Sequence, residues 1–221
     1  MKNLTIRTAD NLYWLGRYLQ RTEILVKESL ASYDDVIDRN FESGKALFDK
    51  LGVKIEYENS KEFLKIATFG EHYSSIQNAI SNARENAIMI RDLIKDEVFA
   101  AINDFYNLIV NCKQNELSPH FLDDMLYKID TVWGIMSAAL RVEKSALFIQ
   151  FGQTVEMVDL KIRLYQNENF SFDLVYYIDH LNLIGKQLNN NFEYNHSEAS
   201  DLKTMQSQIN SAICNIINYE N

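Results

Sequence analysis

Residues 74–112 read SSIQNAISNARENAIMIRDLIKDEVFAAINDFYNLIVNC, and apolar side chains recur along this run at alternating intervals of three and four residues. The apolar positions are Ile76, Ile80, Ala83, Ala87, Ile90, Ile94, Val98, Ala101, Phe105 and Leu108. This spacing places them on one face of an amphipathic helix. The alanines in the run allow neighbouring helices to approach closely, so we expect this run to lie at the centre of a helical protein.

Two arginines, Arg84 and Arg91, stand at the edge of that apolar face. At about 100° per residue, Arg91 lies about 20° from the direction of Ile80, which places it in the arc expected to be buried. A buried guanidinium needs a carboxylate or several carbonyl oxygens as acceptors. We therefore expect another part of the chain to supply an acidic partner.

That partner is predicted in the first helix, which is expected to be capped by Thr8 and to run to about Asn40. Its apolar stripe lacks a step between Leu19 and Val26, and Glu23 stands in the gap. A carboxylate on the buried side of this helix is the natural acceptor for the two arginines. The sequence thus predicts a direct contact of Glu23 with one of them.

Such a cluster has two interpretations. Glu23 and its arginines form either a ligand-binding or catalytic site, or a buried ion-pair network that fixes how the helices pack.

Arg17 and Arg21 share another face of the same helix with Trp14, where we expect a guanidinium to lie over the indole ring.

The composition favours helices and excludes several functional classes. Seven glycines and one proline in 221 residues are too few for many turns or for Gly-rich phosphate loops. No run approaches the roughly 20 apolar residues of a membrane span, and a net charge of −9 argues against nucleic-acid binding. Cys112 and Cys214 fit no metal spacing and, without a secretion signal, favour a reducing cytoplasm.

The expected fold is therefore an all-α bundle of about six to eight helices, a single domain over residues 1–221, with no cofactor and no metal. The other expected helices cover residues 42–51, a segment capped by Ser60, and residues 119–141, 143–165, 172–189 and 198–219. Residues 53–57 alternate like a strand that would have no partner. If the central run breaks, it breaks near Lys95, with Asp96 as the new cap.

One spacing typical of metal ligands occurs near the C-terminus. Glu193 and His196 are three residues apart, as in the ligand pairs of di-iron helical bundles. Those sites need two such pairs, whereas this chain has one, in an Asn-rich loop. The pattern therefore favours no metal site.

Three stretches resemble the bacterial alpha-E family, predicted all-helical proteins named for a Glu-Arg motif. They are RTADNLYWLGRYLQRTE at residues 7–23, ARENA followed by RD within residues 83–92, and GIMSAALR with LFIQFGQTVEMVDLKIRL within residues 134–164. The resemblance covers most of residues 7–165 and leaves the C-terminal third unmatched.

In this family the pattern Leu-Gly-Arg-x-Leu-Glu-Arg-Ala-Glu/Asp is expected twice, as an internal duplication. The two copies here are LGRYLQRTE at residues 15–23 and FGQTVEMVD at residues 151–159. Gln20 stands where the pattern has Glu, and Gln153 and Met157 stand where it has Arg. Neither copy keeps a complete Glu-Arg pair.

The last carboxylate of the pattern survives in both copies, as Glu23 and Asp159. The duplication predicts that the two helices occupy equivalent positions and direct these carboxylates to the interior, near residues 83–92. Alternatively, Asp159 pairs locally with Arg163. The candidate polar cluster comprises Arg17, Arg21, Glu23, Arg84, Glu85, Asn86, Arg91, Glu156 and Asp159.

The resemblance implies partners rather than a reaction. Family members resemble companions of ATP-grasp-type ligase-like proteins, transglutaminase-like proteases and a proteasome-like peptidase. We therefore expect an accessory or scaffold subunit of a peptide-bond-forming or peptide-modifying system, which could also form a homo-oligomer. The alternative is an enzyme acting on a peptide or amino acid in an inter-helix pocket lined by Glu23, Arg84 and Arg91. An open cavity favours the enzyme, and a packed ion-pair network favours the subunit.

Overall fold

The computed structural model describes residues 4–113, 116–140, 143–164, 172–195 and 202–217. Within these ranges the chain forms ten helices and no strand, which confirms the all-α prediction but exceeds the expected six to eight helices. The helices are α1 (Ile6–Asp38), α2 (Ser43–Lys50), α3 (Ser60–Phe69), α4 (Ile76–Met89), α5 (Arg91–Ile94), α6 (Asp96–Val110), α7 (Pro119–Ala139), α8 (Lys144–Leu164), α9 (Phe172–Leu188) and α10 (Leu202–Ile217). None of the described helices is long and apolar enough to cross a membrane.

Helix α1 is the element around which the others pack. Its 33 residues span about 50 Å at 1.5 Å per residue. Its apolar stripe is fully buried at Leu12, Leu15, Leu19 and Val26. The helix packs against α2, α3, α4, α7, α8 and α10. The centre of the fold is therefore α1, and the prediction that residues 74–112 occupy it is wrong.

The run 74–112 is three helices, α4, α5 and α6, and not one. Helix α4 ends before Ile90, and Lys95 adopts a left-handed backbone with φ of 60° and ψ of 153°. The predicted break at Lys95 is thus present, but Lys95 takes the cap position, and no side chain caps α6. The apolar face survives both breaks, because Ile90, Ile94 and Val98 are all buried.

Several helix starts differ from the predicted ones by a few residues. The cap of α1 is Thr5, whose hydroxyl accepts a hydrogen bond from the Thr8 amide at 3.2 Å. Asn59, not Ser60, caps α3. In both cases a second capping residue lies just upstream of the predicted one. The start at Ser118 is confirmed, with the proline in the first turn of α7.

Residues 53–57 form no strand, and their alternation is seen only in the burial of every second side chain. Ile55 and Tyr57 are buried, and the Tyr57 hydroxyl donates to the carbonyl oxygen of Phe41. Of the motif Glu193-x-x-His196, the histidine lies outside the described residues. The ends of the predicted helix 198–219 also lie outside them.

Candidate functional site at the crossing of α1 and α8

Helices α1 and α8 cross in direct backbone contact at two glycines. A β-carbon on Gly16 would collide with the carbonyl oxygen of Ile149, and one on Gly152 would collide with the carbonyl oxygen of Tyr13. Only glycine lets two helix backbones approach this closely. The contacts are reciprocal, because each glycine meets the residue three positions before the other glycine.

The two helices run in the same direction through this crossing. The ring of Tyr13 packs on that of Phe151, with centroids 6.1 Å apart. Further along both chains, Arg21 binds Glu156. Residues of the first motif copy therefore face residues of the second copy along the whole crossing.

Charged side chains from the two copies meet on one side of the crossing. Arg17 donates from Nε to Glu156 Oε2 at 2.5 Å and from Nη2 to Asp159 Oδ2 at 3.2 Å. Arg21 donates from Nε to Glu156 Oε1 at 2.5 Å. Arg163, one turn beyond Asp159, donates to Asp159 Oδ1 at 3.3 Å. Both oxygens of each carboxylate are thus occupied by guanidinium donors. We call these five residues the charged cluster.

The charged cluster is closed to solvent at its centre. Glu156 is 0% exposed, and the side chain of Arg17 is 11% exposed. Arg17 also donates from Nη1 to the hydroxyl of Tyr13 at 3.2 Å, and its guanidinium lies 5.1 Å from the ring centroid of Trp14, as predicted. All three nitrogens of this guanidinium therefore have an acceptor.

Burial and the neighbouring charges, acting together, raise the pKa values of two residues at the crossing, Arg17 and Tyr13. Burial alone would lower the pKa of Arg17, because it disfavours the charged form. The combined effect of Glu156, Tyr13 and Asp159 is larger and raises this pKa. Burial raises the pKa of Tyr13 to about 12, against the opposing effect of the neighbouring Arg17 charge. The folded protein thus holds Arg17 charged and Tyr13 neutral.

On the other side of the crossing, next to Glu23, amides take two of the motif positions that are charged in the cluster. Gln153 donates to Gln20 Oε1 at 3.0 Å. Gln153 stands in the second copy where Arg17 stands in the first. Gln20 stands in the first copy where Glu156 stands in the second. Met157 likewise takes the position at which the first copy has an arginine. Two of the three departures from the family pattern noted above, Gln20 and Gln153, therefore form an uncharged pair on this side, which we call the neutral side.

The final carboxylate of each motif copy lies in the interior, as expected, but the polar partners of Glu23 lie on α1 and α7 and not in the predicted segment 83–92. The side chains of Glu23 and Asp159 are 13% and 10% exposed. Glu23 accepts hydrogen bonds from Trp133 Nε1 at 2.9 Å and from Gln20 Nε2 at 3.3 Å, and it binds Lys27 at 2.5 Å. The reciprocal geometry fits a duplicated motif, and the duplication itself stays a prediction.

The prediction that Glu23 contacts Arg84 or Arg91 is wrong. Arg84 turns to α6, where its Nε donates to Asn103 Oδ1 at 2.8 Å and its guanidinium lies 4.7 Å from the ring centroid of Tyr106. An amide and an aromatic ring thus replace the expected carboxylate, and Arg84 is only partly buried.

Arg91 was assigned to the buried arc on the assumption of one continuous helix. Because α4 ends before Ile90, the angular position calculated from Ile80 does not hold beyond the break. The Arg91 side chain is 59% exposed and pairs with Asp96 at 3.5 Å. Arg91 is therefore a surface residue.

The other two candidates on α4 also lie outside the crossing. Glu85 is exposed and pairs with Arg84 at 3.3 Å. Asn86 donates to the carbonyl oxygen of Asn82 in its own helix at 2.8 Å. The ARENA segment thus contributes packing between helices and not polar groups at the candidate site.

Comparison with known proteins agrees with this motif geometry. The family described as "Alpha-E: a predicted alpha-helical domain with a conserved ER motif" matches residues 4–184. The chain belongs to the Alpha-E family. Neither the curated proteins nor the solved structures contain a match to it.

In this Alpha-E protein the Glu-Arg pair is formed between the motif copies and not within one copy. Glu156 comes from the second copy, and its partners Arg17 and Arg21 come from the first. Each copy is incomplete in sequence, but together they assemble one full set of charges.

Sequence analysis missed the two glycines of the crossing and the partner Trp133. The local pair of Asp159 with Arg163, given there as the alternative to an interior position, is present together with that interior position. Gly16 and Gly152 occupy the same position in the two copies, and this shared position was the available signal. Among the described residues, no group of three His, Cys, Asp or Glu side chains is arranged to hold a metal ion.

Proposed function

We propose that this Alpha-E protein is an accessory or scaffold subunit of an ATP-grasp-linked system that forms or modifies peptide bonds. The observation that carries the proposal is the packing of the charged cluster. Both oxygens of Glu156 are bound by arginines, and the residue has no exposed surface. A carboxylate in this state holds helices together and has no access to a substrate.

The enzyme alternative loses the pocket on which it was based. Glu23, Arg84 and Arg91 lie in three separate sets of contacts. The charged residues that do meet, at the crossing, form ion pairs with one another. The subunit interpretation therefore accounts for more of the geometry.

Helix α9 offers an exposed surface on which a partner protein could bind. Tyr176, His180 and Leu183 recur at helical spacing along one face. Tyr176 and Leu183 are 61% and 59% exposed, and the ring of Tyr176 stacks on that of His180. Large exposed apolar side chains in one stripe are typical of a protein interaction surface.

Co-expression with an ATP-grasp-type ligase-like protein from the same source organism tests the proposal. Size-exclusion chromatography with light scattering should show a complex of defined stoichiometry. The variant Y176D/L183D should weaken it, whereas Tyr127→Asp, at a tyrosine on α7 that is 73% exposed, should not. Elution of the two proteins as separate species would reject the accessory role.

A further inference from the structure

Beside the charged cluster lies a cavity of about 100 Å³ that opens between α1 and α8. Arg21 and Arg163 line it, together with Tyr73, Ser74 and leucines of α1, α8 and the turn after α2. A water molecule occupies about 30 Å³ in the liquid, so this space holds roughly three waters or one small oxyanion group.

Both arginines at this cavity have unused donors. Arg21 makes one hydrogen bond, from Nε to Glu156, and Arg163 makes one, from Nε to Asp159. A guanidinium has five N–H donors. Within the described part of the chain, the Nη groups of both residues have no protein acceptor.

The charge balance next to the cavity is positive. Three guanidiniums, of Arg17, Arg21 and Arg163, share the two carboxylates of Glu156 and Asp159, which leaves these five groups with a formal charge of +1. Arg17 has all its nitrogens bonded inside the protein. The surplus charge is therefore carried by the two arginines that face the cavity, whose side chains are 20% and 37% exposed.

The opposite wall is held in place by a specific contact. The hydroxyl of Tyr73 donates to the carbonyl oxygen of Leu51 at 2.7 Å. Gly52 follows with φ of 78°, and a β-carbon there would lie 2.7 Å from the Tyr73 hydroxyl. The turn after α2 thus has a glycine where both the backbone conformation and the tyrosine require one.

We propose that this cavity binds the oxyanion group of a small ligand, a carboxylate or a phosphate, between Arg21 and Arg163. Paired guanidinium forks match both groups through charge-assisted hydrogen bonds. The leucines in the wall lower the local dielectric and strengthen these bonds. Anion binding here is independent of the partner protein proposed above, so each can be tested without the other.

Nuclear magnetic resonance of ¹⁵N-labelled arginine side chains tests the site directly. The Nε–Hε signals of Arg21 and Arg163 should shift saturably during titration with sodium phosphate or sodium acetate at constant ionic strength. Arg39, on the exposed end of α1 with a side chain 80% exposed, is the internal control and should not saturate. Tighter binding of acetate would indicate a carboxylate ligand, and tighter binding of phosphate a phosphate ligand.

The variant Arg163→Gln should weaken binding of the preferred anion at least tenfold, while Arg39→Gln leaves it unchanged. Arg163 is partly exposed, so circular dichroism should show that its variant remains folded. If neither anion gives saturable shifts, or if Arg163→Gln binds as tightly as the parent protein, the cavity is not an anion site.

Discussion

At the residue scale, Glu156 is the side chain on which the crossing depends most. It is fully buried and accepts from two arginines on another helix. Removing one member of a buried ion pair leaves the others uncompensated, which typically costs 3–5 kcal/mol. The arginines facing Glu156 would then have to share Asp159.

We expect Glu156→Gln to lower the free energy of unfolding by about 3–5 kcal/mol in urea titrations. The matched control is Glu23→Gln, at a carboxylate held by Trp133, Gln20 and the half-exposed Lys27. Its loss should be smaller, because no arginine is left unpaired. Equal losses of unfolding free energy for the two variants would show that the charged side of the crossing does not depend on Glu156 more than the other side depends on Glu23.

Tyr13 gives the crossing a dependence on alkaline pH. Its pKa is raised by burial from the ordinary value of 10 to about 12. Between these values the unfolded chain loses the tyrosine proton and the folded chain keeps it, so stability falls as the pH rises. Two pKa units correspond to roughly 2–3 kcal/mol.

The comparison of Tyr13→Phe with the parent protein isolates this effect, because lysines that titrate in the same range are present in both. From pH 10 to pH 12 the stability of the parent should fall by roughly 2–3 kcal/mol more than that of the variant. Parallel curves of unfolding free energy against pH would contradict the assignment.

The sequence predicted the residues of the candidate site only in part. Arg17, Arg21, Glu156 and Asp159 were included through the motif resemblance, and they do meet. Their pairing could not be predicted from spacing, because the partners are 135–142 residues apart along the chain. Glu23 was correctly placed on a buried face, but helix periodicity gives the direction of a side chain and not the neighbour it meets.

At the scale of elements, the close approach of α1 and α8 sets the geometry of everything beside it. Glycine at positions 16 and 152 costs helix propensity, about 1 kcal/mol each relative to alanine. The crossing offsets this cost, because it aligns two motif copies and buries their polar side chains against each other.

Gly16→Ala and Gly152→Ala should each destabilise the protein by about 2 kcal/mol or more, since the added carbon meets a backbone carbonyl that cannot rotate away. Gly134→Ala on α7 is the matched control, with no atom within 4 Å of its β-carbon. That variant should gain about 1 kcal/mol from helix propensity. Thermal unfolding compares all three, and stabilisation by Gly152→Ala would refute the close crossing.

The junction of α5 and α6 stores backbone strain at Lys95. A residue with a side chain loses of order 1–3 kcal/mol in this left-handed conformation, which glycine adopts freely. Lys95→Gly should therefore raise the melting temperature, since its exposed pair with Glu143 contributes little. The control Lys54→Gly, at an exposed residue without positive φ, should lower the melting temperature slightly. If Lys95→Gly lowers the melting temperature by the same amount, the backbone at Lys95 is not strained.

At the scale of the whole molecule, the fold class was predictable and the arrangement was not. The scarcity of Gly and Pro and the three-four stripes were enough to predict an all-α protein. The longest stripe, residues 74–112, nevertheless proved to be three helices. The break at Ile90 could not be predicted, because the hydrophobic pattern continues across it. Which helix lies at the centre depends on contacts between distant segments. Helix α1 is central because it packs against six of the other described helices.

The crossing of α1 and α8 has one charged and one neutral side. The charged residues can therefore be replaced by the uncharged residues that stand at the equivalent motif positions. Replacing Arg17, Arg21 and Glu156 by Gln, Met and Gln gives the charged side the residues found at the same motif positions of the opposite copy. Buried ion networks are often replaceable as a unit with little loss of stability.

Urea unfolding of R17Q/R21M/E156Q beside the single variant Glu156→Gln tests whether the cluster is a self-contained structural network. If it is, the triple variant recovers most of the stability lost in the single variant, because no arginine facing Glu156 is left unpaired. A triple variant less stable than the single one would contradict this account, because the charges would then contribute stability that their neutral counterparts at the same crossing cannot replace.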